Sequence, residues 1–313
     1  MKISFLLLMV FPWVLLSSCA AWHEIFNPDE PPPAPPSATA SEASQGPKKR
    51  ILVLKFLNKT PLGADLLSNE VDALVRSAVQ KCPECVVVSE NELDGHENFS
   101  ENAAYYNYKT IFQKARAYGI SAVVLGTIDD LTIEEKGDEI GIFRTRFYTA
   151  RAIIKFRLYD AATERELVTK VLTGMVNEER TRFPGERAPG SEDAERGKLA
   201  IAKALEPVLA QFPEYSHKIA WEGRIAKIDL HRYYINAGEE TGITLGQLLK
   251  VFGDGAPVTD AQTGTVLGMA PGRFKGLLKV VDYLGKDGAV AVLHSGGGFR
   301  EQDHVEVYSP PQR

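Results

Sequence analysis

Two thiols set three apart, Cys82 and Cys85 in Cys82-Pro83-Glu84-Cys85, are the constellation with the most chemical potential in this 313-residue chain. At that spacing they can close a disulfide or act as a redox pair in an oxidising compartment. A redox catalyst places its first cysteine at a helix N-terminus, where the helix dipole stabilises the thiolate. Here the pair follows a helical pattern and leads into a strand pattern, so it reads as a structural disulfide, with redox activity, free thiols and metal binding as the alternatives. The six histidines, His23, His96, His217, His231, His294 and His304, lack metal-ligand spacing. Gly296-Gly297-Gly298 has no helical pattern after it and reads as a hairpin tip, not a phosphate cradle. The chain has no GxxxxGK(S/T) loop, HExxH pair, GxSxG elbow or strand-glycine-helix dinucleotide fingerprint. The expectation is a non-enzyme with no catalytic residue, cofactor or metal.

The third cysteine, Cys19, ends Leu16-Ser17-Ser18-Cys19, behind Lys2 and the apolar residues 3–16. Lys2 and that run have the layout of a secretory leader, too short for a spanning helix of roughly 20 residues. The tetrapeptide resembles a lipobox, in which a large aliphatic residue fills a peptidase pocket, two small residues pass a narrow site and the cysteine thiol accepts diacylglycerol. The resemblance implies a bacterial lipoprotein, with residues 1–18 removed as a signal peptide and Cys19 acylated. Each buried methylene contributes roughly 0.8 kcal/mol, so several acyl chains tether a protein stably without spanning the membrane. The alternative is an uncleaved signal in which Cys19 is an ordinary small apolar residue. Ala20, in place of an aspartate, resembles the pattern sorted to the outer membrane, which implies a lipid-anchored protein facing the periplasm.

A composition 44% hydrophobic and 25% charged is that of a globular chain, long enough for two modest domains once leader and linker are set aside. The net charge of -5, one unit more negative without Lys2, argues against a nucleic-acid partner. With Cys19 used for lipid, two cysteines cannot build a disulfide scaffold, so the cores must hold by packing.

Residues 19–49 are expected to be the lipidated cysteine and a disordered Pro-rich tether, because the segment is poor in aliphatics after Phe26 and crowded with Pro, Ala and Ser. Its reach would be about 80 Å extended and about 30 Å as a coil. Trp22 and Phe26, beside the anchor, suit a membrane interface. Residues 50–213 are expected to form a mixed α/β sheet domain: an apolar strand at 51–57, a helix carried by Leu66, Leu67, Val71, Leu74, Val75, Ala78 and Val79, a strand at 86–88, a Ser100-capped helix over 101–118 ended by Gly119, and a buried strand at 122–128. Antiparallel strands at 131–135, 147–159 and 167–176 and a closing helix at 192–212 follow, with a hinge at Pro213-Glu214. Residues 216–313 carry short strand signals divided by glycine, at 218–229, 233–236, 248–252, 265–269, 277–283, 289–293 and 304–308, and are expected to form a small all-β, SH3-like barrel.

The opening ILVLKFLN, the apolar helix after Gly63 and AVVLGTIDDLTIEE at residues 122–135 resemble the anticodon-binding-like (TolB N-terminal-like) domain of periplasmic proteins. That superfamily includes the curli-pore lipoprotein and the activator lipoproteins of penicillin-binding proteins. Arg224-Ile225-Ala226-Lys227, Tyr234 to Gly238 and Gly242-Ile243-Thr244-Leu245-Gly246 resemble the C-terminal domain of the flagellar assembly protein T. Together these resemblances imply an α+β fold class and a non-catalytic assembly or scaffold factor of an envelope complex, in a flagellar basal-body setting. The alternatives are an activator of a peptidoglycan synthase and a curli-type secretion-channel subunit, and a homo-oligomer or ring is a further implied partner. Residues 131–146 and 168–182, where a pore hairpin would lie, carry charges on both faces, against membrane insertion.

Overall fold

The computed structural model describes residues 46–61, 64–102, 105–137, 144–182, 190–270 and 272–309; the expected leader, Cys19 and nearly all of the expected tether lie outside them. In chain order the first elements are β1 (Lys49–Val53), β2 (Leu57–Asn58), α1 (Ala64–Gln80), β3 (Cys85–Ser89), β4 (Ser100–Asn102), β5 (Tyr105–Tyr106), α2 (Tyr108–Ala117), β6 (Ala122–Gly137), β7 (Arg144–Asp160), β8 (Glu166–Arg182), α3 (Gly190–Ala210) and α4 (Phe212–Ser216). The remainder is strand: β9 (Gly223–Asp229), β10 (Arg232–Ile235), β11 (Leu248–Phe252), β12 (Pro257–Thr259), β13 (Val266–Met269), β14 (Phe274–Leu284), β15 (Gly288–Gly296) and β16 (His304–Val307).

The apolar run at residues 51–54 is buried on both faces because each face meets its own helix layer. Ile51 and Val53 pack with Val71, Val75 and Val79 of α1 and with Ala200, Ile201 and Leu205 of α3. Leu52 and Leu54 point the other way, onto Ile111, Phe112 and Ala115 of α2. That alternation is the period-two geometry of a strand. β1 pairs parallel with β3 and β6, and β6, β7 and β8 continue antiparallel, giving the order β3-β1-β6-β7-β8 with β2 on β6.

Strand outweighs helix among the described residues, 46% against 23%, which overturns the expected α+β class of an anticodon-binding-like domain followed by an SH3-like barrel. Two features account for it. The register shift between Ile128 and Asp130 is a bulge inside one strand, so the separate strands expected at 122–128 and 131–135 are a single 16-residue β6. The C-terminal strands close completely, in the order β10-β15-β14-β11-β16-β9, as a six-stranded barrel. β14 carries register shifts at Leu277/Leu278 and Val280/Asp282, and such bulges curve a strand enough for β9 to pair with both β10 and β16, leaving no barrel edge.

Two local expectations also change. The helix expected over 101–118 begins only at Tyr108, capped by Asn107, whose Oδ1 accepts the Thr110 N–H at 3.2 Å. The preceding residues form the β4–β5 hairpin instead, because the Tyr106 hydroxyl is drawn into the sheet, 2.7 Å from the Gly126 carbonyl and 2.9 Å from that of Lys55. Pro213 and Glu214, read as a hinge, lie in the first turn of α4, where proline's missing N–H costs nothing.

α3 lies directly on the backbone of β8. A Cβ at Gly174 would sit 2.0 Å from the Ala200 carbonyl oxygen and 2.5 Å from the Ala204 nitrogen, atoms that cannot swing aside. Gly174→Ala is therefore expected to lower stability by roughly 1–3 kcal/mol, as overpacking does, read as a drop in Tm or urea midpoint. An unchanged midpoint would mean that α3 can lift from β8 freely.

Candidate functional site

Cys82 and Cys85 close a disulfide at the corner between α1 and β3, with Cα atoms 5.3 Å apart. Both are buried in the core that α1 and α3 cover, so no partner thiol can approach them there. The same corner receives the incoming chain, since the Lys49 N–H donates to the Glu84 carbonyl at 2.7 Å and the Lys49 ammonium pairs with the Glu84 carboxylate at 3.1 Å. His23 and Cys19 lie outside the described residues. His96 and His217 sit near single carboxylates, His231 and His294 are exposed, and among the described residues no three metal-ligating side chains converge. Gly296 ends β15 with φ +83°, and the Gly297 N–H donates to the Lys275 carbonyl, so the glycines begin a loop between two barrel strands.

The polar groups that do converge lie where the barrel meets the sheet. Asp287, in the turn between β14 and β15, accepts the Gly238 N–H at 2.8 Å, the Thr241 N–H at 2.9 Å and the Thr241 hydroxyl, and pairs with Arg50 of β1 at 3.1 Å. Burial works against this carboxylate, but bonds from Thr241, Gly238 and Arg50 hold its pKa below the usual range. Alongside, Asn236 Nδ2 donates to the Tyr118 carbonyl at 3.2 Å, and the Lys48 N–H donates to the Thr241 carbonyl at 2.6 Å.

A second cluster lies at the start of β9. Glu222 and Arg224 are both buried, with His304 Nδ1 3.8 Å from the Glu222 carboxylate and His304 Nε2 3.2 Å from Glu306. Burial, reinforced by the nearby charge of Asp160, pushes the Glu222 carboxyl up to about 8, against the pull of Arg224. Burial also lowers the Arg224 pKa, opposed by Asp254 at 3.5 Å. Glu306, bonded to His304, is held low. No motif flags this cluster; its one sequence trace is Glu and Arg on either side of Gly223, on one face of a strand start. Gly223 is needed there because a Cβ would meet the Trp221 ring at 2.8 Å.

Apolar surface is exposed at several places among the described residues, three of them beside the elements above. Leu230, at the tip between β9 and β10, is 88% exposed, and Leu293 of β15 is exposed near it, at the barrel end away from Asp287. The face of β7 and β8 opposite α3 shows Phe147, Val171 and Met175. A cavity of about 690 Å³ runs along α1 and α3, lined by Leu74, Ala78, Leu199, Ala202 and Leu209 with Lys81 and Lys203 among its walls. No described helix is long and apolar enough to cross a membrane.

No family model and no curated protein matches the chain. Among solved structures, it is similar to a hypothetical protein from Chlamydia trachomatis, with 11% identity over 54% of this chain and 97% of the other and a TM-score of 0.35. It is also similar to a lipoprotein from Neisseria meningitidis, with 16% identity over 52% and 95% and a TM-score of 0.27. A third likeness is to the PelC dodecamer from Paraburkholderia phytofirmans, with 14% identity over 52% and 89% and a TM-score of 0.25. Scores this low carry no argument about fold or role.

The Glu222 cluster yields a pH test. A carboxyl whose folded pKa lies near 8, above its unfolded 4.5, adds stability that is complete below pH 4.5 and lost as pH rises toward 8. The loss is on the order of a few kcal/mol, and the lowered carboxyls Asp287 and Glu306 act at the acid end of the range instead. Glu222→Gln should flatten the fall in Tm between pH 5 and pH 8. An equally steep fall in the variant would assign it to another group.

Proposed function

We propose that this chain is a lipid-anchored protein of the bacterial envelope, acylated at Cys19 in the periplasmic leaflet of the outer membrane, and that its folded part is a non-catalytic docking scaffold for an envelope complex. The observation that carries the scaffold reading is the Asp287 clamp on Arg50, Thr241 and Gly238, which holds the barrel as a fixed arm on the sheet and turns the exposed Leu230 tip outward. A docking arm needs a fixed root and an apolar, well-exposed end, because aromatic and aliphatic anchors at an interface centre supply most of the binding energy. The Cys82–Cys85 disulfide fits an oxidising periplasm. The finer assignment is an assembly factor of the flagellar basal-body kind, for which the glycine pattern at residues 238–246 speaks. A secretion-channel role is disfavoured by the charged end of the β6–β7 hairpin, where Glu134 pairs with Lys136 and Glu135 with Arg146.

The test has two arms in cells that express the full chain. Cys19→Ser should move the protein from the membrane to the soluble periplasmic fraction, and retention in salt-washed membranes would place the anchor elsewhere. Leu230→Asp, at a side chain so exposed that Tm should not change, is expected to remove most of the envelope proteins cross-linked to the wild type. An undiminished cross-linked set would show that the barrel tip is not the docking surface.

A further inference from the structure

β8 ends the sheet, and no described strand pairs with its outer side, so a 17-residue strand presents a free row of backbone N–H and C=O groups. Such a row is a template for another strand. Both flanks of this edge are apolar. Val171, 65% exposed, and Met175, 46% exposed, lie on the open face; Val176, on the helix-covered face, lines the same cavity as Leu199, which is 57% exposed.

We propose that β8 pairs antiparallel with β8 of a second copy of this chain, about a two-fold axis at Gly174. Gly174 is the midpoint of Glu166–Arg182, so this register uses the whole strand. It sets Lys170 opposite Glu178, and symmetry repeats that pair on the other side of the axis. Lys170 has no ion-pair partner among the described residues, while Glu178, bonded to Arg196 at 2.7 Å and with Arg180 at 3.5 Å, is still part exposed; Arg180 also pairs with Glu192, so Lys170 of the second copy can replace the looser Arg180 contact. Sliding the strands by two residues in one sense sets Lys170 against Arg180, and in the other sense against Val176, so neither neighbouring register keeps the pairing. A one-residue slip turns the side chains of one strand to the wrong face. The same charges that discourage an unrelated strand from adding to this edge therefore select a second β8 in one register. The two sheets become continuous, and the exposed Val171 and Met175 lie along the seam.

The test uses the full-length chain, purified in detergent with its anchor. In the proposed register Thr173 lies opposite Met175 of the second copy, about 4.5–5.5 Å away between Cα atoms, within disulfide reach. Thr173→Cys with Met175→Cys should give a disulfide-linked dimer as the main species on a non-reducing gel. Thr169→Cys with Val171→Cys, which the register sets opposite positions 179 and 177, should stay monomeric. Adding Lys170→Glu to the first pair should reduce the dimer about tenfold, because two like-charge pairs replace two attractive ones. Lys170 is exposed, so this change should leave the fold of the single chain unaltered, read as an unchanged far-UV circular dichroism spectrum. Monomer from both cysteine pairs, equal dimer from both, or a dimer indifferent to Lys170→Glu would overturn the proposal, as would a disulfide in cells from the Thr173→Cys, Met175→Cys edge to a chain of different mass.

Discussion

The Asp287 carboxylate is the constraint on which the architecture turns. It sits in a tight turn at one end of the barrel and is met by two backbone N–H groups, a hydroxyl and a guanidinium from the sheet. Hydrogen bonds to a charged group contribute more than neutral ones, and a partner left unpaired in a partly buried place costs still more. Arg50 reaches Asp287 from β1, the strand that also joins α1, β3 and β6. One carboxylate thus ties β1, the strand between β3 and β6, to the barrel, and the Asn236–Tyr118 and Lys48–Thr241 bonds lie at the same junction.

Around this clamp the molecule divides its electrostatics into two kinds. Asp287 is a charge fully met by donors and is held ionised. Glu222 is a charge inadequately met, with His304 at 3.8 Å and Arg224 occupied by Asp254 and the Gln302 carbonyl, so burial wins and the carboxyl is driven toward its neutral form. A buried group of that kind contributes little to stability near neutral pH. The packing of α3 on Gly174 follows a different rule, since there the fit depends on the absence of a side chain.

Much of the element order was legible in the sequence, because it rests on periodicities. The buried strand at β1, the amphipathic α1, the Gly119 helix end and six of the barrel strands follow from alternation, 3.6-residue spacing and glycine positions. What was not legible depends on contacts distant in sequence. Tyr106 leaves a helical pattern because two carbonyls of the sheet bind its hydroxyl, and neither carbonyl is within nineteen residues of it. The Asp129 bulge reads as a strand end because a polar residue in a buried run looks the same in both cases. Barrel closure depends on which strands meet, and bulges in β14 settle that without a motif of their own. The junction clusters had no signal, since Asp287 looks like any turn aspartate and Glu222 like any strand-edge glutamate. The lipobox-like tetrapeptide ending at Cys19 is the reverse case, an expectation that rests on four residues and no fold, and it lies outside the described residues.

The central claim is that sheet and barrel form one body through the Asp287 clamp. Differential scanning calorimetry of the wild-type chain and of Asp287→Ala tests it directly. The wild type should unfold in a single cooperative transition whose calorimetric and van't Hoff enthalpies agree, and the variant should separate into two transitions, barrel and sheet. Two transitions already present in the wild type, or a single unshifted transition in the variant, would contradict the claim.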